Sequence, residues 1–274
     1  MCGRYAASRD PDDLVEEIEG AGLPLSPLAE ADRETLHASY NVAPTQPVAT
    51  VLAPRPVADE KGSGGSEGSD GTSTASADLT APARLRAMRW GLVPSWAKDP
   101  KVGNRMINAR VETVAEKPAY RKAFASRRAL LPADSYFEWY PTSQTNARGK
   151  PVKQPFFIRP KDHGVLAMAG LYEIWRDPDK AEDDPDRFRW TCTVITTDAE
   201  DDVGHIHDRM PLMVEKDRWH EWLDPTHPGD TSLLVPAAPG RLEAYAVPTL
   251  VSNVRNNGPE LVEPLAVSEE EESS

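Results

Sequence analysis

Cysteine is nearly absent: 274 residues contain only Cys2 and Cys192. At most one disulfide is possible, and it is not expected in a reducing cytosol. No apolar run approaches the length of a membrane-spanning helix. No basic-then-apolar stretch opens the chain as a secretion signal. The expectation is a cytoplasmic protein with no membrane partner. Positive charge is scarce too. Lys and Arg total 31 against 44 Asp and Glu, a net charge of −13 with a pI of about 5.0. That balance argues against a generic nucleic-acid binder, which is usually basic. Hydrophobic residues reach only 39%, still enough for a globular core, and seven Trp, seven Tyr and five Phe supply bulk.

The acid is unevenly placed. Much of it lies in Asp10 to Glu19, in Arg176 to Arg187 and in Glu269 to Glu272. A locally basic cleft on an acidic surface is compatible with this pattern, and an acidic, lysine-poor surface suits a salt-rich cytoplasm.

One run has almost nothing to bury. Between Pro54 and Pro82 the sequence is dominated by Gly, Ser, Thr and Asp, which predicts a flexible insertion between two strands of one domain. The expected organisation is a single domain over 1–265, interrupted at 54–82, with a disordered acidic tail at 266–274. Residues 1–8 read as an edge strand or extended arm. Asp10 reads as an N-cap, with Pro11 at the first helical position and Leu14, Val15 and Ile18 as an apolar stripe ending at Gly20. Strands are predicted at Val48–Leu52, Arg84–Trp90, Pro155–Ile158, Leu166–Trp175, Thr191–Thr197 and Leu242–Val247, and helices at Lys117–Arg127 and Lys216–Leu223. Thr142 to Lys153 reads as a polar loop. Many short strands with scattered helices predict an α+β fold, its sheet mainly antiparallel and closed like a barrel.

Chemistry concentrates at the start. The small Cys2 side chain predicts removal of Met1, which would leave an α-amine and a thiol on adjacent carbons. An α-amine titrates near 7.7–8.0 and a cysteine near 8.5, so part of each is nucleophilic at neutral pH. Such a pair attacks an aldehyde twice, giving a Schiff base and then a thiazolidine. The plain alternative is a cysteine in a frayed terminus. Cys192 lies in a β-branched run and reads as a buried structural thiol. Glu138 sits inside Tyr136-Phe137-Glu138-Trp139. It is either a buried carboxyl with a raised pKa or a solvent-facing residue on an alternating strand. His207 is suited to proton transfer near neutrality or is a surface histidine. His205, His207 and Asp208 lack a third separated metal ligand, so no metal or cofactor is expected. Asn108 offers an amide to a developing charge or holds a turn. Arg4, Arg110 and Arg209 form a phosphate-binding cleft if they converge, and otherwise pair with surface carboxylates. Trp90, Trp96 and Trp139 stack on bases or fill the core.

Six blocks in order complete the picture. Met1-Cys2-Gly3-Arg4-Tyr5, Tyr40 to Pro44, Trp90 to Pro94, Ile107 to Thr113, Phe137 to Trp139 and His207 to Pro211 together resemble the SOS-response-associated peptidase (SRAP) family. The resemblance implies processing of abasic sites in single-stranded DNA by a monomer associated with the nucleoid. It implies a covalent thiazolidine between Cys2 and the ring-opened deoxyribose. Glu138 would shuttle protons, His207 would assist sugar opening and release, and Asn108 would position Cys2 or the sugar oxygen. Arg4, Arg110 and Arg209 match phosphate-holding positions. Asn41 and Pro44 match a loop near the lesion, and Trp90 and Trp139 match aromatics at the DNA groove. Two other functions compete: a thiol peptidase using Cys2 and His207, and a non-catalytic single-strand binder. The net charge and the 54–82 insertion depart from the family pattern.

Overall fold

The computed structural model describes residues 2–54, 81–199 and 201–265. The acidic tail, and all but the ends of the 54–82 insertion, lie outside these residues. In chain order the strands are β1 (Tyr5–Ala7), β2 (Ser39–Val42), β3 (Pro47–Leu52), β4 (Arg84–Trp90), β5 (Asn108–Arg110), β6 (Arg128–Ala133), β7 (Ser135–Thr145), β8 (Pro151–Pro160), β9 (Leu166–Arg176), β10 (Phe188–Asp198), β11 (Arg209–Pro211) and β12 (Leu242–Ala246). The helices are short: α1 (Pro11–Gly20), α2 (Glu30–Thr35), α3 (Arg121–Ser126), α4 (Asp201–Gly204) and α5 (Trp219–Leu223). The fold is α+β.

Strands β10, β4, β3, β6 and β9 pair in sequence, and β9 pairs back to β10, closing a five-stranded ring. Every pairing in the ring is antiparallel except β4 with β10. A second, open sheet runs β12-β8-β7-β1-β2. Strand alternation divides the ring's side chains. Val48, Met88, Trp90, Leu131, Met168 and Val194 pack in one cluster with Tyr5, Tyr136 and Ile158 of the second sheet and with Cys2. Their neighbours Val51, Leu85, Leu130, Ala169 and Ile195 pack instead with Leu14 and Ile18 of α1, Phe124 of α3 and Trp219 and Trp222 of α5. Fully burying one such large side chain contributes on the order of 2 kcal/mol. Helices α1, α3 and α5 thus cover one face of the ring, and the second sheet covers the other with Cys2 held between.

Three elements differ from the sequence expectation. Strand β1 is not an edge: it pairs with both β2 and β7. The predicted helix at Lys117–Arg127 shortens to Arg121–Ser126, because Pro118 disfavours helical backbone at Lys117. The polar loop at Thr142–Lys153 is mostly strand. β7 and β8 stay paired out to Thr145 and Pro151, and the turn is closed by Asn146 Oδ1, which accepts from the backbone N–H of Arg148 and Lys150. Cross-strand pairing there outweighs low apolar content.

Gly91 fixes the turn that leads towards Asn108. Its φ is +127°, and a Cβ there would lie 2.5 Å from the carbonyl oxygen of Gly103. Its N–H donates to Cys192 O, and the next amide, Leu92, donates to Met106 O. Gly91→Ala adds both backbone strain and a clash, with an expected cost of roughly 3 kcal/mol in a thermal or denaturant melt. A melt indistinguishable from the parent would contradict this packing.

Candidate active site

Cys2 reaches the site through β1. The register pairs Tyr5 with Tyr136, and the Phe137 N–H donates to Arg4 O at 2.9 Å. Residues 2 and 3 are thereby carried back alongside Glu138. Cys2 is wholly buried. On its other side stands Asn108, at the start of β5, whose parallel pairing to β10 sets it opposite Val194. Asn108 Nδ2 donates to the Cys2 carbonyl at 2.7 Å. The Tyr120 hydroxyl donates to the Asn108 carbonyl at 3.2 Å. Asn108 Oδ1 is buried with no hydrogen-bond partner among the described residues. A buried acceptor of this kind is costly to leave unpaired, and it is aligned by the same amide that holds Cys2.

Glu138 resolves to the buried alternative, at 4% exposure. Burial raises its pKa, with His207 pulling the other way. Burial also pushes the Cys2 thiol well above the ordinary range, and the Glu138 carboxylate adds to that shift. The thiol is therefore neutral, within the electrostatic reach of the Glu138 carboxyl. His207 lies just before β11, which pairs with the end of β10. Its Nδ1 accepts the Arg209 backbone N–H at 3.0 Å, leaving Nε2 to carry the proton in the neutral ring. The same Nδ1 lies 2.9 Å from Asp208 Oδ1. Strand β10 thus carries Asn108 and His207 to the cluster, and β7 carries Glu138.

The basic and aromatic candidates divide. Arg4 Nη1 donates to Asn41 Oδ1 at 2.7 Å and to Val251 O at 2.9 Å. Its guanidinium lies over the Trp139 ring at 5.7 Å. Trp139 Nε1 donates to Ser252 Oγ. Asn41 is buried and spends its amide on the protein, so its side chain holds Arg4 and a neighbouring loop together and has no group left for a strand. Pro44 is half-buried in the turn that follows β2, and Arg110 is exposed. Arg209 is largely occupied: Nη1 meets Glu112 Oε1 at 2.5 Å and Asp198 Oδ1 at 2.6 Å, and Nη2 donates to Thr196 O at 2.7 Å. A phosphate at Arg209 would have to displace a carboxylate. Trp90 is fully buried, with Nε1 donating to Ile107 O at 2.9 Å and its ring 5.2 Å from Tyr5. It offers no face to a base and packs in the same buried cluster as Cys2 instead. Trp96 is the aromatic that stands out, at 65% exposure.

Cys192 is buried and both thiols are free. Among the described residues no three metal-ligating side chains gather, and no helix is long and apolar enough to cross a membrane. A cleft of about 400 Å³ beside Asp32, Arg84 and Arg86 shares no residue with the cluster around Cys2. The segment that sequence reasoning passed over is Thr249 to Asn257. Its signal was a density of Asn side chains, which bond their own turns.

Known proteins resemble this chain in sequence and in fold. The chain is 37% identical over 266 residues, 96% of its length and 99% of the other, to a Bacillus subtilis (strain 168) protein named abasic site processing protein YoqW. It is 29% identical to the Xenopus tropicalis protein named abasic site processing protein HMCES, covering 95% of this chain and 77% of that one. Its fold matches a crystal structure of a Bacteroides thetaiotaomicron protein with a TM-score of 0.71 at 23% identity, over 97% of this chain and 100% of that chain. The profile of the SOS response associated peptidase (SRAP) family covers residues 1–254, which include Cys2, Asn108, Glu138 and His207. The chain is a member of the SRAP family.

Proposed function

We propose that the protein processes abasic sites in single-stranded DNA by covalent capture on residue 2. While residue 1 is attached, the Cys2 nitrogen is an amide without a nucleophilic lone pair. Its release generates the amine. The amine attacks C1′ of the open-chain deoxyribose, a proton moves to the oxygen, and the carbinolamine forms. Protonation of that hydroxyl expels one water and leaves the imine. The thiol then adds to the imine carbon as its proton departs, closing the thiazolidine. The sum is aldehyde plus aminothiol giving ring plus water. Glu138 is the proton carrier: burial holds its carboxyl above the ordinary carboxylate range, a direction that suits a general acid–base group, and it acts electrostatically on a thiol whose proton must leave during ring closure. His207, with Nε2 bearing the proton, serves sugar opening and the reverse reaction. Asn108 holds the Cys2 carbonyl, and its Oδ1 is available to the amine or to a sugar hydroxyl.

One observation carries this reading: the buried residue 2 is anchored by Asn108 within the electrostatic reach of a buried carboxyl. A thiol peptidase would need the opposite electrostatics, a thiol lowered towards thiolate, and burial raises this one. Strand contact falls to Arg4 stacked on Trp139, to exposed Arg110 and to Trp96, whose open ring face suits base stacking. The net charge of −13 confines attraction to such local groups.

Incubation with an oligonucleotide bearing one abasic site should give a heat-stable shifted band, absent with the intact strand. Equal retention of both strands, with no covalent product, would favour a plain binding module. Asn108→Ala removes one hydrogen bond at the nucleophile, and about a 10-fold slower single-turnover coupling is expected. An unchanged rate would take Asn108 out of the mechanism.

A further inference from the structure

The loop Thr249 to Asn257 is pinned to the site at three carbonyls by the side chain of Asn41. Asn41 Nδ2 lies 3.3 Å from Val251 O, 3.0 Å from Asn253 O and 2.8 Å from Asn256 O. Its Oδ1 accepts from Arg4, which also donates to Val251 O. A single buried amide therefore fixes the backbone on both sides of Arg255 and the guanidinium two residues from Cys2. The loop is braced further by the Asn257 Oδ1 bond to the Tyr40 N–H at 2.7 Å and by the Asn256 Nδ2 bond to Leu250 O at 2.8 Å. Asn253 Oδ1 accepts the Arg255 N–H at 3.1 Å. Arg255 itself is exposed, and no salt bridge engages it among the described residues. In a chain this acidic, a cation held on a rigid turn and left without a carboxylate is a docking point for an anion.

We propose that Arg255 is a further phosphate contact for the DNA strand, and that Asn41 is the positioning residue that ties Arg4 to the turn carrying Arg255. This rests on the abasic-strand reading above. The ligand is a backbone phosphate, so the contact adds affinity without regard to base. Asn41 touches no DNA. It acts by keeping Arg4 and Arg255 in register, so that two successive phosphates meet cations already ordered.

The test uses the full chain and a fluorescent abasic oligonucleotide. Reversible binding is followed in a Cys2→Ala background and coupling in the parent background. Arg255→Gln is expected to weaken binding about 3- to 10-fold at low salt and to reduce the slope of log Kd against log salt by about one contact. Coupling at saturating strand should keep its rate. Asn41→Asp retains the acceptor for Arg4 and loses the donors to the loop. It should weaken binding similarly, and the double variant Asn41→Asp/Arg255→Gln should show little further loss, the non-additivity of residues acting as one unit. An Arg255→Gln protein with parental affinity and salt slope would overturn the assignment of Arg255. Full additivity of the two changes would overturn the positioning role of Asn41 and leave it a structural bond. If the parent protein couples no abasic strand at all, the failure lies in the covalent reading itself. That outcome is distinct from the first two, in which coupling persists.

Discussion

Cys2→Ser is expected to abolish heat-stable coupling to abasic DNA, a loss on the order of 10³-fold or more, as for removal of a nucleophile outright. Serine is as small as cysteine, so release of residue 1 should continue and the α-amine should still form. The first half of the reaction is therefore retained. The variant should give an imine that borohydride traps and that heating or dilution destroys. Only the second half, attack of sulfur on the imine carbon, is missing, because a hydroxyl is the poorer nucleophile. Borohydride trapping thus separates the two steps in one protein: the parent gives product with or without reductant, the serine variant only with it. A heat-stable adduct from Cys2→Ser without reductant would mean that sulfur does not close the ring.

Glu138→Gln should slow coupling by about 10² to 10⁴-fold, the usual range for a general acid–base group, while strand binding persists. The pH profile follows from the direction of its shift. Burial holds the Glu138 carboxyl above the ordinary carboxylate range, so the base is lost to protonation at a higher pH than for an exposed glutamate. The acid limb of the parent's rate profile should fall there, and the glutamine variant should lack that limb. Stability should move the other way. A folded pKa above the unfolded one means that the folded state holds the proton more tightly. The stability this gives is complete below the unfolded value and is lost as pH rises through the folded value. At pH 8 the ionised group is held in a dry site at a cost, and Glu138→Gln should melt above the parent. The gap should close as pH falls below the ordinary carboxylate range. A variant that melts below the parent at pH 8 would show that its partners more than repay its burial. A group that costs stability where it stands and accelerates the reaction is the expected mark of a functional carboxyl.

Much of the scaffold was readable from residue patterns. Asp10 caps the helix that Pro11 opens, its side chain accepting the Asp12 N–H. Strand β4 spans the predicted Arg84 to Trp90. The long runs at Leu166 and Thr191 became β9 and β10. What the pattern could not carry was pairing. Strand β1 is too short to announce two partners, and its internal place depends on contacts with residues about 35 and about 130 positions away. The site shows the same limit. Glu138 could be flagged by its apolar neighbours, yet only the β7–β8 pairing and the second sheet decide that it is buried. Trp90 and Trp96 are only six residues apart. Trp90 ends a strand and turns inward, whereas Trp96 follows the Gly91 turn and points out. Asn41 looked like a loop residue at the lesion. Its partners in Val251, Asn253 and Asn256 are more than 200 residues away, and no local signal forecasts them.

The central claim concerns bonds made at residue 2, and intact-mass spectrometry reads those bonds directly. The reactive protein should be lighter than the encoded chain by one methionine residue. After incubation with abasic DNA, a new species should weigh the sum of that shortened chain and the oligonucleotide less one water, with peptide mapping placing the added mass on Cys2. Methionine retained in the species that couples, or an adduct carried on any other residue, would contradict the account.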